Sequence, residues 1–288
     1  MSASTDVVLS SDGTPVGLRS VGSGPGLVIV HGAMQSGVSQ LELATLLSPT
    51  HTVHLMDRRG RGTPPATSTA QEVADLSAVL ARTGATDVLG ISSGAIIAAR
   101  AALAGAPVER LALFEPPIAV GPSAHSSVRL DLVAPFRAAL QGGDVPRAMA
   151  IAMKVAQMGP SWMFGLPTPL LTAVSRRMLT DDDRSEPAPG ASHLRELAHA
   201  LTADFTVVTE NAGTAADFAG ITIPTLLLEG TRTRPYLRTA VAALAAELPH
   251  ARRVELPGLG HGATQDRAQW GRPDLVAPHL LEFFAQAS

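Results

Sequence analysis

The sequence contains no cysteine, which removes disulfides, thiolate metal sites and a cysteine nucleophile at one stroke and fits a reducing compartment. Charge of neither sign dominates: the formal net charge is only -3 and the charge clusters are mixed in sign. That composition speaks against a nucleic-acid groove or an anionic membrane surface, and for a small, uncharged or weakly charged partner. No uncharged apolar run approaches the length of a membrane span. The opening MSASTDVVLSSDG lacks a basic start followed by an apolar segment, so the expectation is a soluble, unexported, cytoplasmic protein. No histidine or carboxylate cluster has ligand spacing, so neither a metal nor an organic cofactor is expected. Internal repeats are also missing, and oligomeric state is left open.

What is present suffices for a large core: 288 residues, 45% of them hydrophobic, enough for one domain or one domain with an insert. The first 115 residues alternate between strand and helix signals. DVVLS (6–10) and PVGLRSV (15–21) flank SDGT and predict a hairpin. GLVIVHG (26–32) is a continuous apolar run, the mark of a strand covered on both faces. Helices are expected near 38–48, 70–83 and 94–105, and strands at 51–57, 87–91 and 110–115. The alternation resumes with strands in 221–230 and 252–258 and helices near 236–248 and 274–286. This order predicts an α/β fold with a mainly parallel sheet flanked by helices. Residues 117–214 contain no convincing strand and read as helices broken at GGDVP, GLPTP and EPAPG. The expected organisation is a core domain from 1–116 and 215–288 carrying a helical cap insert at 117–214.

Residues 90–94, GISSG, set two serines between two glycines after a strand signal and before a helical one. That is the G-x-S-x-G spacing in the context it requires, a sharp turn that exposes a nucleophile while small neighbours let strand and helix approach. Ser92 holds the central position, and Ser93 would offer its backbone N–H to an oxyanion. The glycines of VGSGPG (21–26) precede the apolar strand instead of following it into a helix, so they read as a turn and not as a dinucleotide site.

With these residues the chain resembles the α/β-hydrolase family over nearly its whole length. VIVHGAM is similar to the family's strand and oxyanion loop, which implies Ala33 as the second N–H donor. MDRRGRGTP (56–64) is similar to a family turn and reads as structural. ELPGLGHG (255–262) resembles the segment that delivers the catalytic histidine, which nominates His261 as general base. The other histidines, such as His51 and His279, read as surface residues.

The usual acid position departs from the family pattern, for Gly230-Thr231-Arg232-Thr233 places a threonine where an aspartate is common. Thr233 cannot balance an imidazolium by charge, and its replacement is expected to do little. Glu115, closing the apolar strand RLALFE, is the favoured substitute, since a parallel sheet sets it beside Ser92 at the carboxyl edge. An unpaired carboxylate there would be costly to bury. Glu229, at the end of TLLLE, is the alternative acid.

The implied chemistry is acyl transfer by Ser92, His261 and Glu115, with Ala33 and Ser93 as oxyanion donors. The expected substrate is an apolar ester or lactone of small to medium size. Carbon–carbon bond hydrolysis is a less favoured chemistry, and a non-hydrolytic member that binds a ligand or catalyses cyclisation is the rival class. Trp162, Met163 and Phe164 cluster in PSWMFGLP of a chain with only 3% aromatics. They are therefore expected to roof the substrate pocket.

Overall fold

The computed structural model describes residues 4–120, 128–157, 159 and 161–285. Among these, eight strands form one sheet in the order β1-β2-β4-β3-β5-β6-β7-β8. β1 (Ser4–Leu9) and β2 (Pro15–Gly22) make the antiparallel hairpin, and β2 pairs antiparallel with β4 (Thr52–Asp57). From there β3 (Gly26–Val30), β5 (Asp87–Ile91), β6 (Arg110–Phe114), β7 (Thr225–Gly230) and β8 (Ala251–Leu256) run parallel.

Both faces of the central strands are covered, as their unbroken apolar runs require. Along β3, Val28 and Val30 face one core with Leu76, Val79, Ile96 and Val241, while Leu27 and Ile29 face a second with Leu43, Leu47, Leu280 and Phe283. The alternation is the period of two that a strand imposes. Each such side chain taken out of water contributes roughly 1.5–3 kcal/mol. The first core is closed by α2 (Thr69–Thr83), α3 (Ser93–Leu103) and α8 (Pro235–Glu247), the second by α1 (Leu41–Leu47) and α9 (Pro273–Phe284). The helix expected over 38–48 is shorter than its sequence signal, because a 3-10 turn at Gly37–Gln40 precedes α1.

Between β6 and β7 the described residues hold helices and no strand: α4 (Val133–Gln141), α5 (Val145–Val155), α6 (Thr168–Asp182) and α7 (Leu194–Glu210). Asp144 caps α5 by accepting the Arg147 N–H at 3.1 Å. Phe136 of α4 meets Phe205 of α7 edge to face, with ring centroids 4.9 Å apart. α7 packs on α2 and α3 as well as on its own layer.

The turn from β5 into α3 is where the two glycines are indispensable. A Cβ on Gly94 would lie 2.3 Å from the Val30 carbonyl oxygen, and one on Gly90 would lie 2.5 Å from Ala95 Cα. Any side chain there would force the strand and helix apart.

Candidate active site

Ser92 occupies the turn itself, with φ 54 and ψ -123, a strained conformation that a residue adopts only where its surroundings impose it. Its N–H donates to the Phe114 carbonyl at 2.8 Å, and its carbonyl accepts the Ala95 N–H at 2.9 Å. The turn is thus tied to the next strand and to the first turn of α3. The side chain projects from the carboxyl edge of the sheet.

His261, on the loop after β8, brings Nε2 to 3.0 Å from Ser92 Oγ. Its Nδ1 lies 2.5 Å from Glu115 Oε2. Glu115 stands one residue past β6, at φ 48, and is fully buried. Its second oxygen, Oε1, accepts the Gly230 N–H and the Thr233 hydroxyl, both at 2.6 Å. The three contacts offset the cost of burying the carboxylate. Thr233 therefore stands against the carboxylate of Glu115. The expectation that this position is inert does not fit the contact, and the sequence signal for it was the very departure from the usual acid.

Glu229 lies elsewhere. Its carboxylate accepts from Arg253 Nε at 2.5 Å and sits 3.7 Å from Arg238 Nε, in a cluster with Glu255. Neighbouring residues of a strand point to opposite faces, which turns Glu229 away from the carboxyl-edge site even though Gly230 reaches it through a backbone N–H.

Ala33 and Ser93 line one cavity together with Ser92 and His261. The approach of the Ala33 loop is close: a Cβ on Gly32 would lie 2.9 Å from Ser92 Cβ. The Gly32 N–H is held by Gln35 Oε1 at 2.9 Å, which in turn accepts from Gln40 Nε2 at 2.9 Å. His31 Nδ1 meets the Gly32 carbonyl at 2.8 Å, and its Nε2 accepts the Arg58 N–H at 3.2 Å. Arg58 is fully buried and pairs with Glu72 and Asp204, each at 2.7 Å. Removing one partner of such a buried pair typically costs about 3–5 kcal/mol.

Burial, with Arg61 and Arg58 close by, holds the His31 imidazole well below its ordinary value of 6.5. Burial likewise lowers His51 and His54. His51, expected at the surface, is 4% exposed and lies edge-on to Phe284 at 6.1 Å. In the unfolded chain all three take up protons as pH falls below about 6.5, while the folded chain resists. Their contribution is fully present above that pH and lost below it. Melting temperature should therefore fall between pH 7.5 and pH 5.5, and His31→Gln should flatten the slope. Scanning calorimetry across that window checks this; a melting temperature that holds constant contradicts it.

The cavity measures about 620 Å³. Its apolar wall comes from Met34, Ile91, Val128, Phe205, Val208 and Leu237, and Tyr236 and Arg232 line it as well. Trp162, Met163 and Phe164 are not part of that wall, which corrects the sequence expectation. They form a 3-10 turn, Ser161–Gly165, that leaves Trp162 69% exposed. The Met163 sulfur instead lies against Gly159, and Phe164 lies under the Arg234 guanidinium at 4.8 Å. Gly159 and Arg234 line the cavity, and Met163 and Phe164 stand against them while Trp162 faces solvent. The residues that replace them in this role, Phe205 and Val208, sit three apart on α7, a spacing that in sequence reads as ordinary helix core.

Among the described residues no group of three or more His, Cys, Asp or Glu could hold a metal ion, and no helix is long and apolar enough to cross a membrane.

A family profile described as "Alpha/beta hydrolase family" matches residues 27–278. A curated relative, the pimeloyl-[acyl-carrier protein] methyl ester esterase of Xanthomonas campestris, is 28% identical over 276 residues, covering 92% of this chain and 97% of the relative. Among solved structures, an alpha/beta hydrolase from Sphaerobacter thermophilus is 33% identical with a TM-score of 0.75, covering 97% of this chain and all of that one. A hydrolase from Pseudomonas aeruginosa shares the fold at 22% identity and a TM-score of 0.71, covering 98% of each chain.

Proposed function

Because the chain belongs to the alpha/beta hydrolase family, we propose that it is a serine hydrolase that cleaves an apolar ester or lactone of small to medium size through an acyl-enzyme. The observation that carries this reading is the unbroken contact from Ser92 Oγ through His261 to Glu115, at 3.0 and 2.5 Å. Serine, base and acid stand in the order and spacing that general-base activation of a hydroxyl needs.

In the proposed reaction His261 Nε2 takes the Ser92 proton as Oγ bonds to the carbonyl carbon. The resulting oxyanion accepts hydrogen bonds from the Ala33 and Ser93 N–H groups, and Glu115 balances the imidazolium. His261 then gives that proton to the departing alcohol oxygen, leaving Ser92 acylated. A water deprotonated by His261 attacks the ester, and collapse returns the proton to Ser92 and releases the acid. In a lactone, alcohol and acid leave as one hydroxy acid.

The apolar wall favours an acyl or alcohol group of low polarity. The segment between β6 and β7 serves as the cap that supplies part of that wall, through Val128 in a turn and Phe205 and Val208 on α7. An ester preference agrees with the methyl ester esterase activity for which the Xanthomonas relative is named. The lactone option rests on the resemblance of an acid after β6 to that of zearalenone-type lactonases of the family, which take theirs from the same strand. A non-hydrolytic member was the rival suggested by the missing aspartate; Glu115 supplies the carboxylate whose absence motivated it.

A panel of p-nitrophenyl esters of increasing acyl length, with aliphatic and aromatic lactones beside it, tests the reading. Saturable hydrolysis is expected, with kcat/KM rising with chain length and then falling as the acyl group outgrows the cavity. Absence of turnover across the panel by folded protein would contradict it.

A further inference from the structure

The hydroxyl of Ser93 makes two contacts that the proposed reaction does not use. Its Oγ donates to Asp204 Oδ1 at 2.7 Å and lies 3.0 Å from Arg58 Nη1, from which it accepts. The same Nη1 also reaches the His31 carbonyl at 3.2 Å and Asp204 Oδ1 at 2.7 Å. The rest of the guanidinium is fixed by Glu72, which accepts from Nε at 3.2 Å and from Nη2 at 2.7 Å. Every one of these side chains is buried.

One guanidinium thus touches both segments that carry the oxyanion donors. The His31 carbonyl lies two residues before Ala33, and the Ser93 hydroxyl belongs to the other donor residue itself. The network's far end, Asp204, comes from α7, a helix of the segment between β6 and β7. Its charge is compensated by Arg58 and by Arg61, whose Nη2 lies 3.8 Å from Oδ2. Burial pushes the Asp204 carboxyl up, yet those two cations and the hydrogen bonds from Ser93 and Arg58 outweigh it and hold it below its ordinary value. It is an ionised acceptor whose negative charge does not oppose an oxyanion nearby.

We infer that Asp204 and the Ser93 hydroxyl are positioning residues of the oxyanion site: through Arg58 they set the spacing of the Ala33 and Ser93 N–H groups and make it depend on the seating of α7. This rests on the hydrolase reading above. The physical ground is that oxyanion donors act by preorganisation, so a shift of a few tenths of an ångström lowers transition-state binding while leaving substrate binding alone.

The test uses the full chain and its S93A, D204N and S93A/D204N variants, with p-nitrophenyl butyrate as substrate and phenylboronic acid as a mimic of the tetrahedral adduct. Each single variant should lower kcat by about tenfold to a hundredfold, less than outright loss of a donor, with KM within about twofold. Phenylboronic acid should weaken in parallel. The double variant should lose no more than the worse single one, since both act through one network.

D204N leaves buried guanidinium charge uncompensated; should it not fold, S93A decides alone, because it deletes one hydroxyl and keeps both ion pairs. Wild-type kcat and boronate affinity in S93A, or a lower melting temperature with unchanged kcat, would overturn the inference. So would losses that multiply in the double variant. If the parent protein neither hydrolyses the ester nor binds the boronate, the hydrolase reading itself fails and takes the inference with it; turnover by the parent with an unaltered S93A sinks the inference only.

Discussion

Ser92→Ala should lower kcat for ester hydrolysis by on the order of a millionfold while leaving the fold intact. The loss is large because Oγ is the atom that bonds to the substrate, and no other hydroxyl stands within reach of His261 Nε2 in the contacts described. Stability should hardly change. Alanine keeps the Cβ that rests against Gly32 and meets the same positive φ, so the strain of the turn is retained. His261→Ala should cost about as much, and the double variant should be no slower than either, since the groups act as one unit. Stopped assays with p-nitrophenyl butyrate, paired with melting curves, check this. Independent, multiplying losses, or substantial turnover in Ser92→Ala, would mean that another group is the nucleophile.

Glu115→Gln should lower kcat by on the order of ten-thousandfold with little change in KM. The glutamine amide keeps the shape of the side chain but cannot balance the imidazolium that forms when His261 takes the serine proton. It also brings an N–H toward a position that must accept from His261 Nδ1. Thr233→Val should act in the same direction and more weakly, about tenfold, because it removes one hydrogen bond to the buried carboxylate and preserves volume. Glu229→Gln should leave kcat unchanged, since its charge is spent on Arg253 and Arg238. Steady-state kinetics on the three variants separate the alternatives. A severe loss in Glu229→Gln with a mild one in Glu115→Gln would reverse the assignment of the acid.

How much of this was legible in the sequence follows from the range of each interaction. GLVIV, DVLGI and RLALF reveal their strands because burial on both faces writes itself as an unbroken apolar run. GISSG reveals its turn because only glycine tolerates the approach of the Val30 carbonyl and Ala95. The strand end at Glu115 was readable for the same reason, since a carboxylate closing an apolar strand demands a partner. Its partner His261 was readable too, but the second one was not: Thr233 looked like a gap in a motif, and only the tertiary structure sets its hydroxyl 2.6 Å from Glu115 Oε1.

Asp204 was invisible for a related reason. An acid within a helix reads as a solvated face, and its contacts with Arg58 and Ser93 span more than a hundred residues of sequence. Trp162, Met163 and Phe164 show the opposite failure. Their clustering signalled packing correctly for Met163 and Phe164 only, since Trp162 is exposed, and the direction of a side chain on a 3-10 turn is decided by what the turn rests on, here Gly159 and Arg234.

The most direct test of the central claim, that Ser92 is a nucleophile activated by His261, is covalent labelling with a fluorophosphonate followed by mass spectrometry of the peptides. The account predicts one adduct per chain, located on Ser92 and lost in His261→Ala. Folded protein that stays unlabelled, or that carries the adduct on another residue, would contradict it.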